Sequence, residues 1–179
     1  LFTWLTSKTW CGSVFASERV APIEGALPGS LIGIDGPRGP DIAISLQWNQ
    51  KINQYGYRGH SYTSGGLLSG DGDHGSASAS DMHNMLIGRG PSLRSGITSN
   101  LPSGNVDITP TVLKLLGLPM PENLDGRVLE EALADNAKTN NVIGPSTLTN
   151  TAEVIGDNAI FRQSVTLSKY NGVTYVDEG

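Results

Sequence analysis

"DITPTVLKLLGLPMP", residues 107 to 121, is the most legible element of the chain. Asp107 or Thr109 can cap a helix there, and Pro110 suits its first turn, where the N–H that proline lacks would have no helical partner anyway. Val112, Leu113, Leu115 and Leu116 recur at helical spacing and form one apolar face. Gly117 tolerates the left-handed backbone that closes a helix, and Pro119 cannot extend one. A helix is therefore expected between the cap and Gly117.

Downstream, "GRVLEEALADN" from Gly126 reads as a second short helix with Val128, Leu129, Ala132 and Leu133 inward, followed by a polar surface loop to about Gly156. The tail "AIFRQSVTLSKYNGVTYVDEG" holds two alternating runs around Asn171-Gly172, and Asn-Gly predicts a β-hairpin because both residues accept positive φ. Upstream, "NMLIGRGP" (84–91) reads as a buried strand closed by Gly-Pro. Residues 49–80 carry almost no periodic apolar signal and read as a long loop, and a strand is expected from Asp41 to about Trp48. Before that, short strands and turns alternate. Trp4, Trp10 and Trp48 lie far from any motif and are expected in packing.

Composition narrows the function. Twelve Lys and Arg against seventeen Asp and Glu leave a net charge of −5 with no basic stripe, so a nucleic-acid polymer is not an expected partner. No apolar run reaches the roughly 18 residues needed to span a bilayer. The single Cys11 rules out an internal disulfide and a thiolate zinc cluster within this chain. The apolar content suffices for one domain over residues 1–179, and the opening "LFTWLTSKTWCG" reads like the middle of one, so the chain is expected to be a piece of a longer protein.

The polar run "GDGDHGSASASDMHN" (70–84) concentrates the chemistry, with three aspartates and two histidines. Three readings stand side by side. Its Asp and Gly can simply serve turn geometry. Asp71 and Asp73 alternate as in a calcium loop, but no third oxygen ligand stands in the expected place and no Glu closes a twelve-residue loop. His74, with the glycines Gly72 and Gly75 around it letting other backbone approach closely, can give a nitrogen to a transition metal. Asp81, His83 and Asn84 precede the expected strand and more simply fasten the loop through hydrogen bonds. His60 is expected in solvent, Asp107 as a helix cap, and Asp125 with Arg127 as a turn.

The surroundings add weight to the metal reading. "NMLIGRGPSLRSGITSNLPSGNVDITPTVLKLLGLPMPENLDGRVLEEAL" resembles the C-terminal region of the alkaline phosphatase superfamily: a strand ending in Gly-Pro, an Asp-Ile-x-Pro-Thr helix, Leu-Gly-Leu-Pro and Leu-Asp-Gly-Arg, in that order. "GDHGSASASDMHN" is closer to its type I phosphodiesterase and nucleotide pyrophosphatase branch, and "PDIAISLQWNQKINQYGYRG" and "YVDEG" are similar to one bacterial group of that branch. The resemblance covers most of the chain. It implies an α/β/α sandwich with a mostly parallel sheet, plus the C-terminal hairpin. It also implies two divalent metal ions, usually zinc, and a Thr or Ser nucleophile attacking phosphorus, the cations stabilising the attacking and leaving oxygens.

Of those parts only the late Gly-x-His-Gly histidine maps here, onto His74, with Asp73 at the variable x. The nucleophile and the remaining ligands are expected upstream of Leu1, so the chain carries no catalytic residue of its own. The function so implied is metal-dependent hydrolysis of phosphodiester or pyrophosphate bonds in small nucleotide-like substrates, in the periplasm or outside the cell. A sulfatase or phosphomonoesterase of the same superfamily is the nearest rival. The rival from another class is a non-catalytic extracellular module binding calcium or a glycan.

Overall fold

The computed structural model describes residues 1–179 apart from 21, 64, 67, 69, 70, 72, 73, 137–143 and 156–159. The fold is mixed α/β, built from three small sheets and few helices. The chain divides into two compact units, one formed by Leu1–Asn84, Thr149–Leu167 and Val176–Gly179, the other by Met85–Leu148 and Ser168–Tyr175.

The first unit is organised by β1 (Cys11–Ala16), whose run Ser13–Ala16 is buried throughout. It lies between β2 (Leu27–Pro28), to which it is parallel, and β3 (Ile42–Leu46), to which it is antiparallel. The register shifts between Cys11 and Val14. At Gly12 a Cβ would stand 2.9 Å from the carbonyl oxygens of Ser45 and Leu46, so only glycine lets β3 come this close. Phe15 and Leu27 join Val165 and Leu167 in the main core, with Leu31, Ile34, Ala43 and Val176 packed around them. A second cluster of Leu5, Cys11 and Val14 anchors the short helix α1 (Phe2–Thr6). Gln163 enters this core as a substitute peptide group. Its Oε1 accepts from the Val14 N–H at 2.6 Å, and its Nε2 donates to the carbonyls of Val14 and Gly25.

Residues 48–61, all but Trp48 inside the expected long loop, form a hairpin of β4 (Trp48–Ile52) and β5 (Arg58–Ser61). Its residues are mostly polar and exposed on both faces, so no apolar period marks it. The third sheet has the order β6-β7-β8, with β6 Ser146–Ile155, β7 Ile160–Tyr170 and β8 Val173–Glu178. The hairpin expected at Asn171-Gly172 is present, with φ of 48° and 81°, as a two-residue mirror-image turn requires. β6 replaces part of the surface loop expected before Gly156; the stretch 137–143 and Gly156 lie outside the described residues. The strands pair mostly antiparallel, β1–β2 being a short parallel exception, and so differ from the expected mostly parallel sheet.

In the second unit, α3 (Ile108–Leu115) follows a 3-10 turn at Asn105–Asp107 and ends as expected. Gly117, at φ 63°, donates to the Lys114 carbonyl while Leu118 donates to that of Leu113. Two expectations change here. Residues 84–91 form no strand, because no strand lies beside them among the described residues; Met85 and Ile87 are 90% and 83% exposed. The second helix is replaced by 3-10 turns at Glu130–Ala132 and Ala134–Asn136. The backbone from 132 to 134 pairs with 92–94 in place of a helical ladder, the Ala132 carbonyl accepting from the Arg94 N–H and the Ala134 N–H donating to the Ser92 carbonyl. Just upstream, the Arg127 N–H goes to Asp107 Oδ1 at 2.8 Å and the Leu129 N–H to Thr111 Oγ1 at 3.0 Å. Leu133 then bridges to Leu93.

The bonds to Asp107 and Thr111 belong to one buried network. The Asp107 carboxylate, with no exposed surface, also accepts from the Gly104 N–H at 2.9 Å and the Tyr175 hydroxyl at 3.0 Å. It thus caps the turn before α3 and not α3 itself. Arg127 donates from Nε to Tyr175 at 3.1 Å, reaches the Pro102 carbonyl, pairs with both oxygens of Glu131 at 2.7 and 2.8 Å, and lies over the Tyr170 ring. Burial disfavours both charges, but the two-pronged pairing outweighs it, raising the Arg127 pKa and lowering that of Glu131. Burial, then the hydrogen bond to Asp107, pushes the Tyr175 hydroxyl up to about 12.

Replacing Asp107 by Ala strands three inward-pointing donors. At about 1–3 kcal/mol each, urea denaturation should register a loss of at least about 3 kcal/mol. A loss below about 1 kcal/mol would refute the network's structural weight. The raised Tyr175 value has a definite sign: stability from this group is complete below the unfolded pKa of about 10 and is lost as pH climbs through about 12. Tyr175→Phe should be less stable than the parent at neutral pH yet lose less between pH 10 and 12, as followed by denaturation at each pH.

Candidate functional site

The polar run lies against β3 in the first unit. Ala77 is held on both sides, its N–H donating to Ser45 Oγ at 2.8 Å and its carbonyl accepting from the Gly179 N–H at 2.8 Å. Gly75, at φ 93°, supplies a left-handed turn next to His74 that a side chain would strain. Ser78 then caps α2 (Ala79–Met82), its Oγ accepting from the Asp81 N–H at 3.1 Å. Asp81 turns back to close the loop: its Oδ2 accepts from Ser76 N–H at 3.0 Å and Ser76 Oγ at 2.6 Å.

This folding leaves a cleft of about 210 Å³ whose lining combines His74, Gly75, Ser76 and Asp81 with Ile44, Leu46, Ser61 and Tyr62. Of the residues singled out from sequence, His74 and Asp81 share this cleft. His83 and Asn84 do not line it. Asn84 Nδ2 donates to the Asp81 carbonyl at 2.5 Å, whereas the His83 ring is exposed and its N–H ends α2 on Ala79. His60 is exposed on β5 opposite Asn49. Asp71 folds back on its own loop, Oδ2 accepting from Leu68 N–H at 2.8 Å. Asp73 lies outside the described residues. The walls at Ile44, Leu46, Ser61 and Tyr62 escaped the sequence reading, although 44 and 46 alternate onto one face of an expected strand.

A larger cleft of about 270 Å³ in the same unit is lined by Ser13, Trp48, Arg162, Gln163 and Glu178 among others. Arg162 there pairs with Glu153 and Gln163 with Val14, so the chemistry favours the His74 cleft. A metal centre needs several converging ligands. Among the described residues no three His, Cys, Asp or Glu converge, and Asp81 Oδ2 already has two donors. The described residues therefore do not form a metal site by themselves; they offer one imidazole at a cleft.

Comparison of the chain with protein-family models, with curated proteins and with solved structures gives no match. No helix among the described residues is long and apolar enough to cross a membrane.

The Ser76–Asp81 clasp predicts a local effect. Asp81→Ala removes the acceptor of the Ser76 N–H, a bond worth about 0.5–1.5 kcal/mol. Amide exchange at Ser76 should accelerate up to about tenfold while global stability changes little. Unchanged exchange there would show that the clasp does not hold the loop.

Proposed function

We propose that this chain is the C-terminal portion of a metal-dependent phosphodiesterase or nucleotide pyrophosphatase, hydrolysing phosphodiester or pyrophosphate bonds in small nucleotide-like substrates, with His74 as one ligand of its two-zinc centre. The observation that carries the reading is the place of His74. The histidine of the Gly-x-His-Gly motif lines a cleft, on a segment fastened to β3 through Ala77 and closed by Asp81. Bound cations would supply positive charge to the phosphate oxygens. The chain's own contribution in this reading is narrower: it positions one imidazole, and the other ligands and the nucleophile come from residues outside it.

The second unit supports a fold completed by further structure. Met85, Leu86 and Ile87 form an exposed apolar run, and α3 with its C-cap Leu116 leaves Ile108, Val112, Leu115 and Leu116 at the surface. Neighbouring exposed apolar side chains of this kind mark surfaces that are covered in an assembled protein. In this reading the covering structure is a mostly parallel sheet in an α/β/α sandwich, and α3 packs over such a sheet.

The test is turnover of bis-p-nitrophenyl phosphate by the intact natural protein. Hydrolysis should be abolished by a chelator and restored by zinc. His74→Ala should lower both bound zinc and turnover by more than about tenfold, equivalent to roughly 1.4 kcal/mol of barrier, with the fold retained. Near-normal zinc content and turnover in that variant would make His74 an ordinary loop residue. Hydrolysis of p-nitrophenyl sulfate in place of the diester would overturn the phosphodiesterase assignment, and tight calcium binding without turnover would overturn the enzyme.

A further inference from the structure

The cleft of about 270 Å³ shares no lining residue with the His74 cleft, and every residue that lines it belongs to the first unit. It lies where β1 bulges. Cys11 pairs with Leu46 and Val14 with Ile44, so Gly12 and Ser13 together stand opposite the single Ser45. A bulge of this kind re-aims a side chain out of the ladder. Ser13 is 5% exposed, yet its hydroxyl has no hydrogen-bond partner among the described residues. Asn150 Nδ2 is the one unpartnered side-chain atom among them that is sealed off, so the Ser13 hydroxyl reaches open space, and the open space beside it is this cleft. A hydroxyl so enclosed calls for a polar partner.

The other walls narrow what that partner is. Trp48 and Phe161 give aromatic sides, Trp48 held by its Nε1–H donating to the Gly179 carbonyl at 2.7 Å and Phe161 by an edge-on contact with Phe2 at 6.0 Å. Arg162 is paired with Glu153, whereas the half-buried Glu178 makes no ion pair and no side-chain hydrogen bond among the described residues. The unanswered charge is therefore a carboxylate, which repels phosphate and other anions. We propose that this cleft binds one neutral pyranose ring. Such a ring carries hydroxyls around its rim and C–H groups on its faces. The rim hydroxyls donate to Glu178 and exchange bonds with Ser13, which both donates and accepts, while a C–H face lies on the Trp48 ring. A cation would answer Glu178 but would meet the Arg162 guanidinium and leave the Ser13 donor unused. The volume falls below the roughly 300 Å³ at which pockets for drug-sized ligands begin, which limits the occupant to a single ring. This site does not rest on the hydrolase reading.

Titration of the intact natural protein, followed by saturation-transfer NMR and calorimetry, tests it with glucose, galactose and mannose, their methyl glycosides, their uronates, and tetramethylammonium. At least one neutral hexose should bind with a Kd of about 1 mM or tighter, and its uronate should bind more weakly. Tolerance of the methyl group would mark the end of a glycan as the source of the ring, and its rejection a free sugar. Glu178→Gln should weaken the hexose about tenfold and narrow its advantage over the uronate. Ser13→Ala should weaken it about threefold without lowering the urea midpoint, because no bond within the protein is lost with that hydroxyl. Trp48→Leu should weaken it about tenfold, and Trp48→Phe should restore most of the affinity. His74→Ala, in the other cleft, should change nothing, which keeps this outcome apart from that of diester turnover. Absence of binding by all three hexoses, full affinity in Glu178→Gln, or tighter binding of tetramethylammonium than of any hexose would each overturn the pyranose site.

Discussion

A carboxylate with no exposed surface must have its charge answered from inside the protein, because burying it unpaired would cost several kcal/mol. Asp107 is answered by a backbone N–H from the turn before α3, another from Arg127, and the hydroxyl of Tyr175 on β8. Each donor comes from a different segment, so the second unit closes around this one group. Its apolar burial is slight by comparison, with Pro110, Leu129, Leu133 and the ring of Tyr175 as its buried apolar side chains among the described residues. Polar satisfaction and apolar packing thus divide between the units, since the first relies on the Phe15, Leu27, Val165 and Leu167 cluster.

The network also explains the pattern in the sequence. In "DITPT" and "LDGR", Asp107 supplies the carboxylate, and Pro110 sits buried in the first turn of α3. Thr111 links the Asp107 carbonyl to the Leu129 N–H, and Arg127 threads to Tyr175, Pro102 and Glu131. Gly126 is required because a Cβ there would overlap the Val106 carbonyl. These positions build a scaffold. They bear on fold, while the bearing on chemistry rests on His74 and its cleft.

Local signals were readable and distant ones were not. α3 and the Asn171-Gly172 turn are specified within a few residues by Pro110, Gly117 and positive φ, and both form as read. The expected second helix failed because its middle pairs far upstream: Leu133 is extended and bridges to Leu93, the Ala132 carbonyl accepts from the Arg94 N–H, and the Ala134 N–H donates to the Ser92 carbonyl. β4 and β5 were hidden because polar, exposed residues leave no period-2 apolar trace, whereas β6 alternates, with Asn150, Ala152 and Val154 half-buried in turn, a period its polar first half obscures. At the site, His74 was visible from its glycine-flanked motif, whereas Ile44, Leu46 and Tyr62 reach the cleft only through the fold.

The shared dependence of Asp107, Arg127 and Tyr175 has an evolutionary corollary. A lineage that changes one of them alone strands a buried donor or charge, so viable sequences should keep the three together or replace them together. Glu131 is bound to the same fate through Arg127, since its carboxylate has little exposed surface of its own. Co-variation across these four positions would accordingly report architecture passed down by descent, even in chains that lack a histidine at position 74.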